Sequence, residues 1–339
     1  MDTTYVELID FLKERSSHIL DKLEVVLTGV TDPNLEKLLK KIIDSTRENE
    51  KFRVPLTSLS CEAVGSKRDN ADIASLLFTI MADGIAIHDD IIDKSKVNHF
   101  RETVLGAYGL EKALLVGDLL IVKALTMFNE LITENHDSAT VKRIIAEYGN
   151  LCIEMCEAEF LATSSVKNLS KSLENAETIL WKAMAEIEAC SRIGAMLGQG
   201  TEDEINALGQ FGRCLGFIGR LLNEVQDSWN IELINLNHRI QYESVPLPIL
   251  YAALTSEERK NEINLIISNT SLSFEDCTRL LELCFKSGAF SYIINLAEEK
   301  KRQGYEYLHK LTESSARNTL SLMLERVYDH LSVFCLISD

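Results

Sequence analysis

The apolar residues Ile73, Leu76, Leu77 and Ile80 return every three or four positions, and Leu208, Phe211, Leu215 and Ile218 do the same further along. That spacing draws one apolar stripe down the side of an α-helix. No run alternates apolar and polar positions as a half-buried strand would. The prolines are Pro33, Pro55, Pro246 and Pro248, so the whole stretch from Pro55 to Pro246 is free of the residue that breaks helices. The pattern predicts a single all-α domain over residues 1–339, with about ten or more helices of ordinary length. The predicted connections are Thr28–Pro33, Gly65–Asn70, Lys94–Thr103, Thr133–Ser138, Ser164–Leu173, Gly198–Asp203 and Asn235–Pro248. Composition shifts across none of them, so none reads as an interdomain linker.

Composition narrows the function classes. Apolar residues make up 46% of the 339 residues, enough for a sizeable core. The formal charge of −17 disfavours binding to nucleic acid, which needs a basic face. The longest apolar stretch, Ala113–Met127, is interrupted by Asp118 and Lys123 and is shorter than the ~20 residues of a spanning helix. The N-terminus starts acidic and turns amphipathic, without the basic and apolar regions of a signal peptide. A cytoplasmic protein with no stable membrane insertion is the expectation. The eight cysteines form no CxxC pair and sit mostly in apolar helical pattern, which reads as free, buried thiols. Cys152 and Cys156 stand one helical turn apart, but no nearby His or second Cys pair completes a zinc site.

Two acidic motifs carry the chemistry: His88-Asp89-Asp90-Ile91-Ile92-Asp93 and Asn223-Glu224-Val225-Gln226-Asp227. Each places oxygen-bearing side chains at i, i+1 and i+4 at the end of an apolar helical segment. Positions i and i+4 stack on one helix face, so Asp89 and Asp93 can share a cation. Two such helices facing each other would make an oxygen-lined cage. Magnesium takes hard oxygen ligands, commonly one or two carboxylates together with substrate phosphates. A plain charged helix end is the alternative. Carboxylates one turn apart repel unless something compensates them, and here the spacing occurs twice, which favours a metal.

At these residues the chain resembles the trans-prenyltransferase (polyprenyl diphosphate synthase) superfamily, from about Arg53 to Leu250. His88–Asp93 is similar to its first aspartate-rich motif, and Gly117-Asp118-Leu119-Leu120 to its Gly-Asp-x-Leu segment. Glu157-Ala158-Glu159 falls where the family has Gly-Gln, and Lys182-Ala183 where it has Lys-Thr. Asn223–Asp227 occupies the second aspartate-rich motif, and Pro248–Ala252 the Pro-x-x-x-Ala segment. The resemblance implies a large helical bundle around a central cavity and three substrate-bridged Mg2+ ions held by Asp89, Asp90, Asp93, Asn223, Glu224 and Asp227. Asp89, Asp90, Asp93 and Lys182 are then the catalytic candidates. Lys51, Arg53, Arg101, Lys182 and Arg220 are candidate contacts to the substrate diphosphate, although Arg220 could equally neutralise Glu224. Gly84 and Ile85 fall where the family builds its cavity floor, and neither is a bulky aromatic that could fill a wide tunnel, which implies a preference for long prenyl chains. Glu159 reads as a proton acceptor or a solvent-facing glutamate. The partner is a prenyl diphosphate, and a homodimer is the expected assembly.

The chain also departs from the family pattern. Glu50 stands at the first basic position before Lys51 and Arg53. Ala82 replaces a helix His, Asn98-His99 an Arg pair, and Glu243-Ser244-Val245-Pro246 the Gly-Lys-x-Thr segment. These losses remove cations that hold isopentenyl diphosphate, and charge-assisted contacts are the strong ones. The leading expectation is therefore ionisation of one allylic diphosphate, followed by cyclisation, rearrangement or transfer to a non-standard acceptor. Head-to-tail elongation with isopentenyl diphosphate is the second reading, and a non-catalytic subunit with this fold is the third.

Overall fold

The structure is a computed structural model that describes residues 3–50, 52–98, 101–133, 137–229 and 234–336. These form seventeen α-helices, a 3-10 turn at Arg68–Ala71 and one two-residue hairpin, as the helical periodicity requires. The chain divides into two compact units: Met1–Gly149 with Ala189–Gly209 and Leu308–Leu320, and Asn150–Glu188 with Gln210–Tyr307 and Ser321–Asp339.

The first unit contains α1 (Thr3–Leu27), α2 (Pro33–Asn49), α3 (Arg53–Ala63), α4 (Asp72–Ile92), α5 (Val104–Tyr108), α6 (Leu110–Thr126) and α7 (Phe128–Thr133). It also takes the start of α8 (Ser138–Thr163), most of α10 (Ala185–Leu197) and the start of α11 (Glu202–Trp229). α9 (Leu173–Lys182) belongs to the second unit. The axis of the first unit is α4, whose Ile73, Leu76, Leu77, Phe78, Ile80, Met81 and Ile87 are all buried. It packs on α3 and α6. The contact with α6 is close at two glycines. A Cβ on Gly84 would lie 3.0 Å from the Gly117 carbonyl oxygen and 3.0 Å from Ile121 Cγ1, and a Cβ on Gly117 would strike the His88 ring. Tyr148 of α8 closes one end of this core against Phe78 and Phe128, with ring centroids 6.0 and 5.0 Å away. The segment Arg68–Ile92 is long and apolar enough to cross a bilayer, but 72% of its apolar window is buried inside the protein.

The second unit holds α12 (Ile234–Tyr242), α13 (Leu247–Leu254), α14 (Glu257–Ile267), α15 (Phe274–Ser287), most of α16 (Ala289–Leu308) and most of α17 (Ser315–Leu336). α13 is almost wholly apolar and packs against α9, α14 and α15. Tyr251 on α13 stacks on Tyr292 of α16 with centroids 4.5 Å apart. The segment Asn235–Pro248, expected to be a loop, instead carries α12. The burial of Leu236, Arg239 and Ile240 explains the difference. They form a one-turn stripe too short to stand out beside two prolines.

Candidate functional site

The first acidic motif occupies the last turn of α4. Asp89 is exposed, and Asp90 and Asp93 are half-buried. The helix closes on Lys94, whose φ of +59° lies in the left-handed region. The Lys94 N–H donates to the Ile91 carbonyl at 3.3 Å and the Ser95 N–H to the Asp90 carbonyl at 2.8 Å. This pair of bonds is a Schellman closure, a position usually given to glycine. Three carboxylates thus sit at the negative end of a helix dipole, with no basic residue in the last turn. Beyond it, Val97–Asn98 pairs antiparallel with Arg101–Glu102. This hairpin lies inside the predicted Lys94–Thr103 loop, and its two-residue strands are too short to give a strand signal. Thr103 fastens it: its Oγ1 donates to the Ser95 carbonyl at 2.6 Å and accepts from the Gly106 N–H at 3.1 Å. His88 points away from this end, with Nε2 3.3 Å from Asp118 Oδ1 but without hydrogen-bond alignment.

The basic candidates of the first unit have acidic neighbours. Glu50 is buried, and its Oε1 accepts from the Phe52 and Arg53 N–H groups at 2.8 and 2.7 Å, fixing the start of α3. Its Oε2 lies 3.1 Å from Arg53 Nη1. The acidic residue in the early basic cluster therefore neutralises the arginine beside it. Arg101 pairs with Glu48 at 2.7 Å on the surface. Lys51 and His99 lie outside the described residues. Gly84, expected at a cavity floor, faces the α6 backbone at the close crossing described above, so it opens no space there. Ile85 is half-buried.

The second acidic motif lies on α11, and the structure departs most from expectation here. Asn223 is exposed, Glu224 is fully buried and Asp227 is half-buried. The guanidinium of Arg239 on α12, itself 3% exposed, donates to both Glu224 Oε1 and Asp227 Oδ2 through short bonds. Arg220 Nη2 stands 3.3 Å from the same Glu224 Oε1, and the Leu247 N–H donates to Glu224 Oε2 at 2.8 Å. Burial pushes Glu224 upward, but Arg239, Arg220 and these hydrogen bonds outweigh it and hold the carboxyl below its usual range. Asp227 goes the other way: burial, with the neighbouring Glu224 charge, raises it despite Arg239. Of the two roles open to Arg220, the structure places it on Glu224.

Three further cations matter, and sequence reasoning placed only one of them. Lys182 Nζ donates to Glu157 Oε2 at 2.6 Å, a hydrogen bond that raises the lysine pKa. Arg213 is buried between Glu154 and Glu188, and it also donates to the Trp181 carbonyl at 3.3 Å. Lys171 Nζ donates to Ser165 Oγ at 2.8 Å beside a small cavity of about 20 Å³, which Glu224 and Ser244 also line. Burial lowers the Lys171 pKa. Ser244, in the segment that lost its lysine, bridges to Val166 in the same loop as Lys171. Nothing in the local sequence signals that this loop returns there. All eight cysteines are free; six are buried, Cys152 is half-buried and Cys156 exposed.

The two motifs differ as candidate sites for magnesium. Among the described residues, no three His, Cys, Asp or Glu side chains converge closely enough to hold a metal by themselves. The acids of α4 form a hard-oxygen set on an accessible helix end, suited to an ion that completes its shell with phosphate and water. The acids of α11 are already engaged by guanidinium and backbone donors, with Glu224 only 1% exposed.

The sequence profile of the polyprenyl synthetase family matches residues 33–284. A short chain isoprenyl diphosphate synthase of Methanothermobacter thermautotrophicus is 27% identical over 331 residues, covering 96% of this chain and 99% of that protein. Among solved structures, geranylgeranyl pyrophosphate synthetase from Pyrococcus horikoshii superposes with a TM-score of 0.83 at 21% identity, over 96% of this chain and 99% of that one. A polyprenyl synthase from Caulobacter crescentus, complexed with calcium and isoprenyl diphosphate, superposes with a TM-score of 0.79 at 19% identity, over 94% and 97% of the two chains.

Proposed function

The chain belongs to the polyprenyl synthetase family, and from that premise we propose that it is a prenyltransferase joining an allylic diphosphate head-to-tail to isopentenyl diphosphate. The observation that carries this reading is the intact Asp89/Asp90/Asp93 set on the open last turn of α4. Those three side chains would hold magnesium, which when bound stabilises charge on a departing diphosphate. The acids sit at a negative helix end, where a bound cation would offset both the helix dipole and their mutual repulsion. Coverage of nearly the whole of a short chain isoprenyl diphosphate synthase supports elongation over cyclisation or a non-standard acceptor.

The weakened cation set is a matter of degree in this reading. With Arg53 on Glu50 and Arg101 on Glu48, isopentenyl diphosphate is held less tightly and its KM is high. A homodimer fits the exposed apolar side chains Leu114, Leu115, Val122 and Leu125 along α6. The test is to incubate purified protein and Mg2+ with allylic diphosphates of two to five isoprene units, with and without labelled isopentenyl diphosphate. Linear products that require isopentenyl diphosphate are expected. Cyclic hydrocarbon formed without it would restore the cyclisation reading. The occupied second motif favours one other reading, a subunit inactive alone, and absence of any turnover would support it.

A further inference from the structure

We propose that Arg239 is a resident cation: its guanidinium stands where the second acidic motif would hold a divalent metal, so Glu224 and Asp227 ligate none. The geometry is that of a filled site. Glu224 Oε1 receives two guanidinium groups, one from Arg239 and one from Arg220 at 3.3 Å, while Oε2 receives the Leu247 N–H at 2.8 Å. Asp227 Oδ2 takes the other arm of Arg239. Glu243 completes the acidic surround, with Oε2 3.8 Å from Arg239 Nε and Oε1 3.6 Å from His238 Nδ1. The fork of a guanidinium matches two carboxylates in a way that a lysine cannot. A buried pair of acids must be neutralised by something, and here the chain supplies the positive charge itself. A divalent ion entering among the same oxygens would meet two guanidinium charges at short range.

The sequence around the site agrees. The motif's first position is Asn223, a neutral amide, so it offers one carboxylate fewer to a metal. The lysine expected at Ser244 is missing, and a cation returns five residues earlier as Arg239, on a helix that covers the acids. The inference builds on the family's metal chemistry but is independent of which product forms.

The test removes the first motif so that only the second can report. In an Asp89→Asn/Asp93→Asn background, Mn2+ binding is measured by electron paramagnetic resonance, with and without inorganic pyrophosphate, alongside thermal melting. With Arg239 intact, no bound Mn2+ and a melting temperature indifferent to Mn2+ are expected. Adding Arg239→Met should lower the melting temperature, create a Mn2+ site, and let Mn2+ restore part of the lost stability; further addition of Asp227→Asn should abolish that site. Mn2+ bound in the presence of Arg239, and lost on Asp227→Asn, would overturn the proposal. So would a folded Arg239→Met variant that gains no Mn2+. Should Arg239→Met not fold, the comparison of intact Arg239 with and without Asp227→Asn still decides. Turnover of the unaltered protein tests the proposed function separately.

Discussion

Asp89→Asn should raise stability and lower activity at once. Asp89 is exposed in the last turn of α4, one turn from Asp93. A carboxylate at the C-terminal end of a helix costs about 0.3–1 kcal/mol against the dipole, and a like charge at i+4 adds about 0.2–0.5 kcal/mol. Removing it should therefore stabilise the fold by about 0.5–1.5 kcal/mol in metal-free buffer. Unfolding entropy of about 2.1 cal/mol/K per residue, over 339 residues, gives roughly 0.7 kcal/mol/K, so melting should move up by about 1–2 °C. With Mg2+ and inorganic pyrophosphate the order should reverse. A ligand at about a hundred times its Kd stabilises by about 2.7 kcal/mol, which the variant forgoes. Turnover should fall by about 10²- to 10³-fold, the usual cost of losing one electrostatic contact to developing charge. Differential scanning fluorimetry in EDTA and then in Mg2+ with pyrophosphate, paired with transfer of labelled isopentenyl diphosphate, measures all three. A variant that melts lower in EDTA, or that keeps turnover within about threefold against that expected loss, would refute the argument.

Gly84→Phe should lower the melting temperature sharply, since overpacking costs about 1–3 kcal/mol or more and the aromatic ring would meet the α6 backbone. Any soluble variant should leave product chain length unchanged, which analysis of the products checks. Lys94→Gly should stabilise by about 1 kcal/mol, measured by urea unfolding, because a left-handed residue with a side chain is replaced by one without that penalty. Glu224 has a folded pKa below its ordinary 4.5, so its contribution is complete above about pH 4.5 and lost as the pH falls through the folded value. Asp227 is raised by burial and acts in the opposite sense: Arg239 offsets only part of the cost of burying its charge, and that cost grows as the pH rises. Glu224→Gln should therefore show a shallower loss of stability below pH 4.5 than the parent chain, read from melting curves across that range.

The helical fold and the first acidic motif were legible because each is local: a stripe repeats along one helix, and Asp89, Asp90 and Asp93 are neighbours in sequence. What the sequence withheld depends on partners far along the chain. Arg239 meets Glu224 fifteen residues away and Arg213 meets Glu154 fifty-nine away, and neither arginine sits in a pattern that names its acid. Gly84 misled for a related reason. A small residue shows that space is needed on one side of a helix, but not whether a ligand or another helix takes it. The Val97–Asn98 hairpin escaped because strands of two residues are too short to show a periodicity.

The glycine crossing of α4 and α6 gives the first acidic motif a mechanical property. With Gly84 against the Gly117 carbonyl and the Ile121 side chain, and the His88 ring laid over Gly117, the two helices are in close contact where they cross. A displacement of the last turn of α4 by a bound cation would therefore press directly on α6. The mount is stiff, and in evolution it is also shared: neither helix can gain a side chain at the crossing unless the other retreats.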